Sequence, residues 1–522
     1  MSGRYDAIVI GAGHNGLTTA ALLARQGRRV LVLEQKEHIG GLAAAEEFHP
    51  GFWSCGVFQD TTLVSRRVAD ELELARHGLR WRTAPPDVLA LGAPGDSLLL
   101  AGEVARATAA IRQRQPQDGE RYPRYIAALE GLREVLRSFL DAAPLDPTSN
   151  EALDPRVLWR PGLRLRRLGR RGLLEFLRLP PLCTADWLDE WFADDLLKAA
   201  LSLPPLASTF MGPRSPGGTA LLLRQAGLAG PGVEGGGPAL VAAIAGAART
   251  HGAEIRNGAP VAEVRMAGKV QGVKLASGET FDAPVVAASC HPQQLLALLT
   301  LRSLPGRLTE RLQHYRSRGT TAQVLFALRA PLRFKGYENL PVEFARTGAS
   351  MLDIERAFDA VKYGRIAERP VLEIHAPSSN GEARPPGDRA VAPAGAVAPA
   401  GAVASVLVHY APWNLEPGWD AKQRDRLGER VQEMVRERAS GLEVVARRVF
   451  APPDFEALYA LPGGNLHHGD HALDQLLLRP AAGCVGYRTP IPGLYLCGSG
   501  SHPGGGLTCL PGALAARSIL AD

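Results

Sequence analysis

The residues best suited to chemistry lie near the two ends of the chain. Gly11-Ala-Gly13-His14-Asn15-Gly16 follows directly on the apolar run Asp6-Ala-Ile-Val-Ile10, and a second apolar run, Arg29-Val-Leu-Val-Leu33, ends in Glu34. Strand, GxGxxG, helix, strand and acid, in that order, is the arrangement that holds a dinucleotide. Gly11 permits the tight turn, Gly13 lets a pyrophosphate approach the backbone, and Gly16 lets the helix pack closely on the strand. The phosphates would meet a helix N-terminus, where unpaired N–H groups and the dipole favour negative charge. Glu34, 18 residues past Gly16, is spaced to accept a hydrogen bond from a ribose 2′-hydroxyl. A 2′-phosphate there would face a carboxylate, which disfavours 2′-phosphorylated dinucleotides.

Toward the other end, His467, His468 and His471 form the densest histidine cluster, beside Asp470 and Asp474. Their spacing belongs to no familiar metal motif, so no metal is expected. Histidine titrates near neutrality, so His467 and His468 are candidates for acid–base work, with rigidifying a loop as the alternative role. His502 lies in a glycine-rich turn, where a structural hydrogen bond is its plain role and proton transfer the sharper one. Arg488 precedes the last apolar run and could set positive charge beside a reduced cofactor. His375 and His409 fall in alternating patterns and could line a substrate cavity. Cys290-His291 does not read as a nucleophile pair, because adjacent strand residues point to opposite faces.

Placing these residues requires specific elements. The first fingerprint needs a strand at 6–10, a helix through Gln26 and a strand at 29–33. Gly235-Gly-Gly-Pro-Ala-Leu opens a helix, and strands follow around Val261–Met266, Val270–Leu275 and Val285–Ser289. Pro492-Gly-Leu-Tyr-Leu-Cys-Gly498-Ser499-Gly-Ser-His502-Pro-Gly-Gly505-Gly506-Leu507 is a strand feeding a glycine-rich turn, before a helix from about Pro511 to Leu520. Further strands are expected at 322–328 and 404–410, and a helix at 118–142.

The N-terminal string, extended by Ala20, Leu23, Gly27, Val30, Val32 and the pair Gly40-Gly41, resembles the FAD fingerprint of glutathione-reductase-like flavoproteins. The C-terminal string resembles the signature of bacterial-type phytoene (carotenoid) desaturases. The block Gly464-Asn-Leu-His-His-Gly-Asp-His-Ala-Leu-Asp-Gln475, with Tyr487-Arg-Thr-Pro-Ile-Pro492, is similar to the phytoene desaturase-like branch that includes pyridine nucleotide-disulfide oxidoreductase domain-containing protein 2. The chain lacks a redox CxxC despite that name. The resemblance implies FAD, with a cofactor-binding set of Gly11, Gly13, His14, Asn15, Gly16, Glu34, Gln35, Gly40, Gly41, Val261, Gly498, Ser499, Gly505, Gly506 and Leu507. It also implies a fold: an α/β FAD-binding Rossmann-like domain with an inserted α+β substrate domain. The first would be discontinuous, from 1–65, 215–295 and 480–522; the second would comprise 66–214 and 296–479. The resemblance departs at Leu507-Thr-Cys-Leu-Pro511, where a further glycine-rich turn is expected.

The implied activity is FAD-dependent dehydrogenation of a carbon–carbon bond in a hydrophobic, isoprenoid- or lipid-like substrate, hydride passing to flavin N5. Rivals are an isomerase or saturase using reduced flavin, an amine oxidase, and a non-catalytic FAD-binding interaction protein. No second dinucleotide fingerprint is found: Gly227-Leu-Ala-Gly-Pro-Gly232 follows no β-run and is broken by proline. Electrons would then leave to oxygen or a quinone.

Composition narrows the setting. The 522 residues are 46% hydrophobic and 21% charged, which excludes wholesale disorder. The six scattered cysteines make no CxxC pair, against a disulfide framework or zinc ribbon. A net charge of +6 on so long a chain gives no case for nucleic acid. Met1–Tyr5 leads straight into an apolar strand and no apolar run spans a bilayer, so a cytoplasmic protein is expected. From Arg156 to Arg178, eight arginines interleave with leucines against the single acid Glu175. Such a stretch could lie on an anionic membrane as a peripheral anchor. The duplicated hexapeptide at 390–401 reads as a surface loop without chemistry.

Overall fold

The strands Ala7–Ile10 (β1) and Val30–Leu33 (β2) are buried at every position, as strands covered on both faces must be. The computed structural model that shows this describes residues 4–144, 162–299, 304–377 and 401–522. β1 and β2 pair in parallel, Ala7 with Val30 through Ile10 with Leu33. Side-chain alternation then divides them between two cores. Val9, Val30 and Val32 face one, with the helix His14–Arg25 (α1); Ile8, Ile10, Leu31 and Leu33 face the other.

The full sheet runs Leu494–Leu496, Val285–Ala288, β1, β2, Glu254–Arg256, all parallel. Its strands therefore come from the start, middle and end of the chain. α1 packs between the helices Gly236–Thr250 and Leu510–Ala521. Small residues make that approach close. A Cβ on Gly512 would sit 2.2 Å from the Asn15 carbonyl oxygen, and Thr19 Oγ1 donates to Gly512 O at 3.0 Å. A three-stranded antiparallel sheet, Val261–Met266, Val270–Leu275 and Thr280–Asp282, covers the second core.

A seven-stranded mixed sheet builds the other half, in the order Val444–Phe450, Thr321–Leu328, Ala402–His409, Val371–His375, Phe344–Thr347, Val88–Leu91, Ser97–Leu100. One face is apolar: Val324, Phe326, Val406 and Val408 pack with Leu427, Val431 and Val435 of the helix Ala421–Arg438. The alternate residues of the same strands include Thr321, Gln323, His375, Ser405 and His409, all buried. A buried polar layer thus lies on the opposite face. Gln59 and Gln323 both donate to Ser405 Oγ, the latter at 2.9 Å, tying the N-terminal segment to that face. Helices Val104–Arg114, Pro116–Leu140, Thr184–Trp191 and Asp195–Leu206 close the molecule around Tyr125, Trp187 and Phe192.

The strand expected at 404–410 is Ala402–His409, and the helix expected at 118–142 is Pro116–Leu140. Residues 390–400 of the duplicated hexapeptide and 156–161 of the arginine-rich stretch lie outside the described residues. The rest of that stretch is helical over Gly169–Arg178, with Leu173, Leu174 and Leu177 exposed. Among the described residues, no helix is long and apolar enough to cross a membrane.

Candidate cofactor-binding site

At the C-terminal ends of β1 and β2, where ligands bind in open parallel sheets, a cleft holds about 1110 Å³ of space not occupied by atoms. Gly11, Gly13, His14 and Asn15 form its floor at the start of α1. Three glycines there have three distinct reasons. Gly11 takes φ +96°, which favours glycine. A Cβ on Gly16 would stand 2.0 Å from Gly11 O, so only glycine lets α1 approach β1. A Cβ on Gly13 would meet nothing within 4 Å, because it would project into open space. No side chain caps α1 and no acid stands in its first turn, so its N-terminus is left for an external anion. Gly40 (φ +116°) lies against Gly13, donating its N–H to Ala12 O at 2.9 Å, and Gly41 completes this wall.

Glu34 closes one end. One carboxylate oxygen accepts from Ala12 N–H at 2.7 Å and the other from Lys36 N–H at 3.0 Å, which fixes the carboxylate while leaving acceptor capacity toward the cleft. Gln35 and Val261 line the same end. At the other end stand Phe58, Leu461, Leu466, His468 and Ser499. Asn15 Nδ2 donates to Ser499 Oγ at 3.1 Å, joining the first fingerprint to the last.

Three buried polar atoms of cleft-lining residues have no hydrogen-bond partner: His14 Nε2, Asn15 Oδ1 and His468 Nδ1. Native proteins rarely leave such atoms unpaired, and a cofactor rich in hydroxyl, imide and phosphate groups fits them. Burial pushes His14 down to about 4, against a hydrogen bond to the Gly506 backbone. Burial, reinforced by the Arg479 charge, pushes His467 and His468 down to about 3. These rings are neutral at physiological pH, so they can accept or donate one hydrogen bond at each nitrogen but carry no standing charge.

The remaining sequence candidates sit around the cleft, not on it. His467 Nε2 bonds Ala207 O at 3.2 Å, and its ring stacks on His471 at 4.3 Å between centroids and on Phe58 at 5.5 Å. His471 Nε2 accepts from Gly505 N–H at 3.1 Å. Asp470 and Asp474 pair with Arg318 and Arg316, so neither carboxylate serves the histidines. Gly498 packs on Ser289 O, Gly506 on Leu63, and Leu507 belongs to the core. His502 bonds Phe139 O at 3.1 Å, away from the cleft lining. Arg488 is drawn off to Asp522, at 2.7 Å, and does not line the cleft.

Two arginines that sequence reasoning passed over hold the arrangement together. Arg479 is fully buried and donates to five backbone carbonyls, those of His467, His468, Gly469, Asp470 and Ser499. Arg224 donates to Pro503 O and Gly505 O. The histidine block and the glycine turn are thus strapped to each other by cations satisfied entirely by backbone. His468 is held at φ +56°, a left-handed conformation that costs a non-glycine residue energy and is sustained by these bonds.

Residues 9–58 match the family model described as an NAD(P)-binding Rossmann-like domain. Pyridine nucleotide-disulfide oxidoreductase domain-containing protein 2 of Rattus norvegicus is 32% identical, over 99% of this chain and 94% of its own length. Hydroxyneurosporene desaturase of Cereibacter sphaeroides is 28% identical, over 99% of this chain and 97% of its own. Cyclohexylamine oxidase from Brevibacterium oxydans shares the fold, with TM-score 0.56 at 16% identity over 99% of this chain and 98% of that one. The mixed α/β architecture, the glycine cradle on the helix start and the end-to-end match to the rat protein agree. The chain belongs to the phytoene desaturase-like oxidoreductase family that includes pyridine nucleotide-disulfide oxidoreductase domain-containing protein 2.

Proposed function

We propose that the cleft binds FAD and that the protein dehydrogenates a carbon–carbon bond in a hydrophobic, isoprenoid- or lipid-like substrate. The carrying observation is the line of orphaned polar atoms (His14 Nε2, Asn15 Oδ1 and His468 Nδ1) along a glycine cradle that ends at Glu34. Glu34 would hold the adenosine ribose, and the α1 start with Gly13, Gly40 and Gly41 the pyrophosphate. Asn15, His468 and Ser499 would hold the more distal polar groups. When bound, the flavin supplies the hydride acceptor. This chain then need only bring an apolar carbon to it, exclude water and absorb a proton. Phe58, Leu42, Leu461 and Leu466 give that end an apolar wall. A neutral His468 can hydrogen-bond without setting a charge beside the reacting carbon.

Kinship with hydroxyneurosporene desaturase supports a carbon–carbon bond and a hydrophobic substrate. Because the sequence carries one dinucleotide fingerprint, electrons would pass on to oxygen or a quinone. The exposed Leu173, Leu174 and Leu177, with Arg166, Arg167 and Arg170 exposed on the adjoining turns, would rest on an anionic membrane surface from which such a substrate is drawn.

Purified protein should show a flavin band that NADH and NADPH fail to bleach anaerobically, and Glu34→Ala should lose the cofactor on gel filtration. Rapid bleaching would favour a saturase or reduced-flavin isomerase. A colourless protein that takes up no added FAD would overturn the assignment.

A further inference from the structure

A groove with about 580 Å³ of solvent-accessible space runs between the two halves of the molecule and shares no lining residue with the dinucleotide cleft. That is the size of a small-molecule site. Its cationic walls follow from strand-like alternation. Residues 80–82 lie extended against Val233: Glu234 N–H donates to Arg80 O and Arg82 N–H to Gly232 O, both at 3.0 Å. Trp81 packs on the first core, so Arg80 and Arg82 share the other face of the segment and line the groove. On the facing wall, Leu332 and Phe334 are buried in the core of the seven-stranded sheet, which turns the intervening Arg333 toward the groove.

Arg82 crosses the groove to Glu343 at 2.8 Å. Arg80 and Arg333 are exposed, and neither has an ion-pair partner among the described residues. Planar guanidinium forks on opposite walls of one groove suit phosphate oxygens. Glu234 lines the same groove. A carboxylate accepts hydrogen bonds from hydroxyls and repels a bare anion, so it favours a phosphate that carries hydroxyls.

A recess of about 40 Å³ shares Arg82, Gly235 and Glu343 with the groove, room for a hydroxyl but for no ring. Gln59 and His375 line it, 4% and 5% exposed. His375 Nε2 is engaged by Glu343 at 2.9 Å, whereas His375 Nδ1 and Gln59 Oε1 are buried without a hydrogen-bond partner. Native proteins rarely leave such atoms unpaired. A hydroxyl both donates and accepts, so it serves the Gln59 oxygen and serves His375 Nδ1 in either protonation state of the ring.

We propose that this groove binds a phosphorylated polyol, its phosphoryl oxygens on Arg80, Arg82 and Arg333 and a hydroxyl reaching Gln59 and His375. A free sugar phosphate and the ribose phosphate of a nucleotide share that chemistry. No bond is made or broken, and nothing depends on bound flavin, so failure of this site leaves the cofactor assignment standing.

The experiment is calorimetric titration of the full-length protein with ribose 5-phosphate, AMP, inorganic phosphate and ribose. Ribose 5-phosphate should bind with a Kd of about 1 mM or below, at least about tenfold tighter than inorganic phosphate or ribose. Replacing both exposed arginines, Arg80→Gln with Arg333→Gln, should weaken it by about tenfold or more at unchanged Tm. Glu34→Ala, in the other cleft, should leave it unchanged. AMP that binds tighter than ribose 5-phosphate, and is weakened by the same arginine pair, identifies a nucleotide; AMP that binds no tighter identifies a sugar phosphate. Inorganic phosphate binding as tightly as ribose 5-phosphate would mean an adventitious ion only and would overturn the proposal. So would no ribose 5-phosphate binding up to about 10 mM, full affinity in the double arginine variant, or loss of binding in Glu34→Ala.

Discussion

Gly13 and Gly16 are three residues apart in one motif, yet the structure assigns them opposite tests. A Cβ at position 16 would collide with Gly11 O at 2.0 Å, whereas at position 13 it would project into the cleft. Gly16→Ala should therefore lose about 2–3 kcal/mol of stability by overpacking, read as a fall in Tm with or without cofactor. Gly13→Ala should keep the apoprotein Tm and lose bound flavin, read by absorbance after gel filtration. Arg479 gives the complementary case. Arg479→Leu strands five carbonyls in the interior and should cost about 3 kcal/mol or more. Arg479→Lys should rescue little of it, because an ammonium cannot span carbonyls that a planar fork reaches. The glycines were legible in the sequence because each answers a local demand of turn, approach or packing. Arg479 was not, since its partners are backbone atoms that any sequence supplies. The departure at Leu507–Pro511 is equally instructive. Cys509 takes φ +62° at the cap of the last helix, so the turn keeps a glycine-like backbone without the glycine.

The helix Gly169–Arg178 turns Leu173, Leu174 and Leu177 outward, while Phe176 stacks inward on Phe139 at 6.1 Å. Exposed leucines beside the exposed Arg166, Arg167 and Arg170 would give this segment an interfacial face. The protein should co-sediment with phosphatidylserine-containing vesicles at low salt, lose most of that binding near 0.5 M salt, and lose it at low salt when Leu174 and Leu177 become Ser. Equal recovery with neutral vesicles would remove the electrostatic part of the idea. The strands flanking the first fingerprint were readable from their unbroken apolar runs. The alternation of Thr321-Ala-Gln-Val likewise marks a strand. Which strands become neighbours is not written locally: Gln323 meets Ser405 from 82 residues away, and Gln59 meets the same hydroxyl from 346 residues away. A polar layer assembled from such distant pieces has no sequence signature, although His375 and His409 are legible singly as possible cavity residues.

Across the whole molecule, buried histidines set the response to acid. His14, His409 and His502 are pushed down to about 4 and His467 and His468 to about 3, burial being the leading cause in each. Unfolding returns them to an ordinary value near 6.5, so the unfolded chain binds protons that the folded chain refuses. Their contribution is complete above pH 6.5 and is lost as pH falls toward 4, at up to about 1.4 kcal/mol per pH unit for each ring. His375, held at about 9, has the opposite sign: it stabilises below 6.5 and loses that contribution as pH rises toward 9. Tm should therefore peak near neutrality and fall steeply between pH 6.5 and 4.5. A flat profile over that range would contradict the neutral assignment of these rings. The bond between Asn15 and Ser499 joins positions 484 residues apart, and Thr19 reaches Gly512 beside it. During synthesis Asn15 therefore leaves the ribosome 484 residues ahead of Ser499, the side chain it bonds. A chain cut short of Ser499 would have half a pocket, so on the proposed assignment such a fragment should retain no FAD.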